Sequence, residues 1–167
     1  CEELELFLNG KSLGCQTIER YGHGEWNVPY VPGKLEVIGR NNGEIAARHT
    51  RETTGRAERL RLKADNSFTA NGRDLALFTC ECPDAEGRVV PDAAEFVQFS
   101  VEEPAVIIGT GSDHCDHIHV SAHERKMYMG KIRIAVKPAK GQQRMVLTAM
   151  SDRCGVTKLV TEIPQED

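Results

Sequence analysis

The chain has 167 residues, 40% hydrophobic and 28% charged, with a formal net charge of −4 and a pI near 5.9. This composition fits one ordinary globular domain or two small ones, and it excludes the basic, high-pI signature of a nucleic-acid binder. No apolar run approaches the roughly 20 residues of a helical membrane span, and aromatic residues, at 5% with a single tryptophan, are scarce for a stacked sugar-binding surface.

The first strand begins almost at residue 1. Leu4, Leu6 and Leu8 alternate with Glu3, Glu5 and Phe7, the period of a half-buried strand. Asn9-Gly10 supplies a type I′ turn, whose two central residues need positive φ, and 11–15 returns as the second strand. Trp26, Val28 and Tyr30 are in phase within 24–30, and Pro29, Pro32 and Gly33 then punctuate a turn. A strand over 34–40, a turn at Asn41-Asn42-Gly43 and a strand over 44–50 complete a small β-sandwich domain, 1–53. It is expected to lack one or two strands at its N-terminal edge, to expose edge strands and to be disordered over 1–3. With no leader before that strand, the chain reads as a piece of a longer protein. A lipidated Cys1 is the lesser alternative, because no flexible polar spacer follows it.

Residues 51–56 are polar and aperiodic, which places a domain boundary there. The second domain, 54–167, repeats the β pattern with strands over 57–64, 75–82, 96–101, 105–108, 131–136, 144–150 and 156–163. Seven short strands with frequent turn signals predict an immunoglobulin-like sandwich. The fold class is therefore all-β, two tandem immunoglobulin-like sandwiches. Cysteines stand at 1, 15, 80, 82, 115 and 154. Cys80 and Cys82 share a strand face and are poorly placed to bond to each other. Mostly free thiols are expected, which leans towards a reducing compartment or an anaerobic source.

The wording of these segments carries more than their period. ELFLNGKSLG, at 5–14, resembles the opening of the small β-sandwich that follows the catalytic barrel in bacterial family 2 glycoside hydrolases, the β-galactosidase-like enzymes. LKADNSFTANGRDLALFTCECPDAEGRVVPDA, FSVEEPAVIIGTGSD and KMYMGKIRIAVKPAKGQQRMVLTAMSD resemble, in order, the last immunoglobulin-like domain of the same hydrolases. A related pattern occurs in bacterial adhesin and intimin-type domains. The resemblance implies a non-catalytic C-terminal accessory region of such a hydrolase. Its partner would be the catalytic barrel of the same parent chain, with homo-oligomer contacts as a further role. The parent would be cytoplasmic, periplasmic or secreted in a bacterium.

Family 2 enzymes are retaining glycosidases whose two catalytic carboxyl groups stand roughly 5 Å apart on a barrel of roughly 250 residues. This chain is too short for that barrel, and no residue is carried over as catalytic. Glu2-Glu3 and Glu102-Glu103 are adjacent on extended backbone, so their side chains diverge. Two features stand apart. Asp113-His-Cys-Asp-His-Ile-His119, followed by His123, offers zinc ligands; His117 and His119 with one of Cys115, His114 or His123 form the candidate set. A polar surface loop is the stronger reading, because the spacing fits no standard zinc motif. Trp26 is a candidate sugar platform, against the stronger reading of a core residue. Besides the accessory-region reading, the sequence thus leaves a carbohydrate- or cell-surface-binding module and a metal-binding β-domain.

Overall fold

The computed structural model describes residues 1–113 and 116–164. Among these, every regular element is a strand, and the chain divides into two compact units, Cys1–Thr53 and Thr54–Asp167.

The first unit is one antiparallel sheet of β1 (Glu3–Leu8), β2 (Lys11–Thr17), β3 (Lys34–Asn41) and β4 (Glu44–Glu52), in the order β2-β1-β3-β4. Asn9 and Gly10 have φ of 52° and 81°, and Asn42 and Gly43 have 50° and 81°, so both hairpins use the primed turn that matches strand twist. Asn9 has a second role. Its Oδ1 accepts the Lys34 N–H at 2.7 Å and its Nδ2 donates to the Pro32 carbonyl. That grip requires glycine at 33, where φ is 138° and a Cβ would fall 1.9 Å from Asn9 Oδ1. Leu4, Leu6 and Leu8 register with Gly39, Val37 and Leu35, so one face is apolar. Glu3 and Glu5, opposite Arg40 and Ile38, belong to the other face. The segment 24–30 forms no strand; Trp26 and Val28 are half-buried and Asn27 and Pro29 exposed, as their phase suggests, but Tyr30, in the same phase, is exposed. Nor are residues 1–3 a loose end. Glu2 donates its N–H to the Arg40 carbonyl and accepts from Ile18 N–H, and Glu3 opens β1.

The second unit holds two sheets. The first has the order β5-β6-β10-β8, from β5 (Arg61–Ala64), β6 (Ala76–Glu81), β8 (Val106–Gly111) and β10 (Lys131–Lys137). The second has the order β12-β11-β7-β9, from β7 (Phe96–Val101), β9 (Glu124–Lys126), β11 (Arg144–Ser151) and β12 (Gly155–Glu162). Apart from β9, these are the A-B-E-D and G-F-C sheets of a constant-type immunoglobulin sandwich. Alternation builds the core. Ile132, Ile134 and Val136 of β10 are buried, while Lys131, Arg133 and Lys137 face out. They meet Phe78, Val97, Met145, Leu147 and Ala149, with Phe68 edge-on to Phe78 at 6.3 Å between centroids. The structure adds β9, absent from the sequence reading. It lies beside β7 in the second sheet, whereas β8 lies in the first, so the chain over 112–123 crosses between sheets.

Candidate functional site

The crossing segment is the histidine-rich loop, and it is built around one side chain. Arg125, at the centre of β9, is only 2% exposed. Its Nε and Nη2 donate to Thr110 Oγ1, Nη1 to Asp116 Oδ2 and the Ile118 carbonyl, and Nη2 also to the His119 carbonyl. These five contacts match the five N–H donors of a guanidinium, so Arg125 has no donor left for a ligand. The Arg125 guanidinium, together with the Ile118 N–H, holds the Asp116 carboxyl below its usual range. Thr110 completes the closure by donating Oγ1–H to Ala122 O and N–H to Val120 O.

The imidazoles belong to the outside of this loop. His117, His119 and His123 are exposed. His119 Nδ1 accepts the Ser121 N–H at 3.3 Å and lies 2.7 Å from Ser121 Oγ, while the His119 and His123 carbonyls accept from Arg125 and Phe99. Among the described residues no three His, Cys, Asp or Glu side chains converge on a point that could hold a metal. His114 and Cys115, the other two members of the zinc set, lie outside the described residues.

Carboxylates are placed for structure. Glu81, with its side chain 4% exposed, receives Arg61 and Lys63 at 2.8 Å and Lys131 at 3.5 Å. Burial alone would raise its pKa, but Lys63 and Arg61 outweigh burial and lower it. Beside it Asp65 accepts from Thr79 at 2.7 Å and pairs with Arg133 at 3.4 Å. Asp84, fully buried, is opposed by the same desolvation. The N–H groups of Gly55 and Arg88 and the Arg88 guanidinium nonetheless hold it at about 2. Glu2 and Glu3 diverge, Glu2 to the Asn42 N–H and Glu3 to Arg40, and Glu102 faces Arg144. Glycosidic acid catalysis needs one carboxyl raised towards neutrality. Among the described residues every carboxyl clearly displaced from its ordinary range moves downward.

Trp26 is half-buried, and its ring lies over Gly24, where a Cβ would come within 2.8 Å. Tyr21 and Tyr30 on the same connection are 91% and 79% exposed. The sequence pattern put Tyr30 in phase with Trp26 and Val28 and drew no attention to Tyr21, so the exposure of both is a finding of the structure.

Among the described residues both units are built from strands alone. Residues 60–160 match the model of Glycoside hydrolase family 2 C-terminal domain 5, and the chain belongs to that family. Residues 1–47 match a domain of unknown function, DUF4982. The chain is 32% identical to Beta-galactosidase BoGH2A of Bacteroides ovatus over 99% of its own length and 20% of the relative's. It superposes on a family 2 glycosyl hydrolase of Bacteroides cellulosilyticus with a TM-score of 0.90 at 34% identity, covering 96% of this chain and 23% of that one. A family 2 beta-glucuronidase shares the fold at a TM-score of 0.90, with 24% identity over all of this chain and 18% of its own. The chain thus spans about a fifth of the length of these relatives.

Proposed function

We propose that this chain serves as the non-catalytic C-terminal accessory region of a β-galactosidase-type glycosidase, packing against the catalytic barrel of the same parent chain. One observation carries the reading: similarity to a beta-galactosidase runs through 99% of the chain and only a fifth of the enzyme. Assaying the 167-residue chain on nitrophenyl galactoside, beside a parent enzyme that contains it, tests the reading. The expected result is turnover by the parent only, and turnover by the chain alone overturns it.

A second reading, carbohydrate binding, is favoured by the exposure of Tyr21 and Tyr30 beside half-buried Trp26 on one connection. Rings of this kind stack on sugars. Saturable glycan binding, lost in Tyr21→Ala and Tyr30→Ala, would support it, and a blank glycan array would remove it.

A further inference from the structure

Two buried thiols face each other across the second unit. Cys82 follows β6 of one sheet, and Cys154 lies in the turn between β11 and β12 of the other. Their Sγ atoms are 3.3 Å apart, although the residues are 72 positions apart in the chain. Cys82 is 0% and Cys154 7% exposed. Cys82 Sγ donates to the Arg59 carbonyl at 3.3 Å, which leaves its sulfur to accept the Cys154 S–H. A disulfide needs about 2.05 Å between sulfurs, so closure asks the two atoms to approach by about 1.2 Å. In antibody domains the cross-sheet bond joins strands B and F, and β6 and β11 hold those positions here.

We propose that Cys82 and Cys154 form an inter-sheet disulfide when the chain folds in an oxidising compartment, locking the second unit. The oxidant is a low-molecular-weight disulfide such as glutathione disulfide. One cysteine thiolate attacks it, forming a mixed disulfide and releasing one glutathione thiolate. The second cysteine thiolate attacks the mixed disulfide and releases the other glutathione. The chain loses two hydrogens, and glutathione disulfide is reduced to two thiols. The step belongs to folding rather than to the finished fold. Burial, with the Cys154 contact added, pushes the Cys82 thiol up to about 12, and only the thiolate reacts.

The test uses the whole chain, reduced and unfolded in guanidinium, then refolded in a glutathione redox buffer at about pH 8. Free thiols are blocked with N-ethylmaleimide, and unreduced peptides are mapped by mass spectrometry. A Cys82–Cys154 peptide pair, two hydrogens lighter, with Cys1 and Cys15 alkylated, is expected. Alkylation of Cys82 and Cys154, or a bond from either to another cysteine, overturns the pairing. The bonded chain should melt roughly 10 °C above the reduced chain, and that gain should be absent from the Cys82→Ala, Cys154→Ala double variant. A bonded chain that melts no higher overturns the lock. The reduced, folded chain in the same buffer should close roughly a hundredfold more slowly. Equal rates overturn the assignment to folding.

Discussion

The two units are built with the same strand patterns and end with very different interiors. Both use antiparallel strands with alternating side chains. In the second, two sheets face each other, and the inward residues of β6, β10 and β11 are almost wholly excluded from solvent. In the first, one sheet of four strands keeps two apolar side chains below a tenth exposed, Leu6 and Ile38 at 8% each. Glu5 pairs with Ile38 and Leu6 with Val37, so those two belong to opposite faces. Strand β4 is exposed along nearly its whole length. Because the hydrophobic term scales with apolar area removed from water, equal strand quality gives unequal stability. What the second unit has, and the first lacks, is a sheet of its own to face.

The largest effect should come from separating them. Residues 54–167 expressed alone should unfold in one cooperative thermal transition, and residues 1–53 alone should show none. A sigmoidal melt of the small piece would break the comparison. Within the whole chain, Phe78→Ala, at a site with no exposure, should cost roughly 4 kcal/mol. Leu6→Ala should cost about 2 kcal/mol, at the low end for such truncations, because its site is already less enclosed. Urea denaturation of both variants measures the two costs, and equal values would deny the difference between the interiors.

Most strands were legible in the sequence, because a two-residue period fits only one way onto a sheet with one buried face. Ile132 to Val136 are of this kind, and Leu4 to Leu8 carry the same period in the sequence. The primed turn at Asn9-Gly10 was legible because few dipeptides tolerate two positive φ values. Strand β9 was not. It is three residues long, and its inward residue is Arg125, whose burial depends on acceptors up to 15 positions away. No local pattern announces such a residue. The zinc set was read from residue types alone, and His114 and Cys115 lie outside the described residues. The Cys82–Cys154 approach spans 72 positions and was equally invisible.

Arg125 gives the next prediction. Its replacement by Met removes five donors from a closed loop and should cost roughly 3 kcal/mol. Arg125→Lys should recover little, because an ammonium cannot reproduce the planar fork. Hydrogen exchange at the Val120–Thr110 pairing reads the loss in place, and full rescue by lysine would show that charge alone holds the loop. A smaller effect belongs to the first unit's turns. Gly10 and Gly43 both have φ of 81°, with open space where a Cβ would go. Gly10→Ala and Gly43→Ala should each cost about 1 kcal/mol from backbone conformation alone.

The last prediction concerns acid and shows nothing at neutral pH beyond a fixed gap. Asp84 has its pKa depressed from 3.8 to about 2. A depressed carboxyl contributes stability that is fully present above its unfolded value and is lost as pH falls through its folded value. Wild type should therefore melt above Asp84→Asn at pH 7, keep that lead down to about pH 4, and lose it progressively towards pH 2. In the first unit, Glu5 is lowered by Ser12 and then Arg40, so Glu5→Gln should show a loss of the same sign. Glu5 is only half-buried and its groups are open to solvent screening, so its lead should be the smaller of the two. Paired melting curves at stepped pH measure both. A gap for Asp84→Asn that stays constant from pH 7 to pH 2 would mean that the Gly55 and Arg88 donors do not hold the ionised form. The acid sensitivity of the second unit would then have to come from its other lowered carboxyls, Asp74, Glu81 and Asp116.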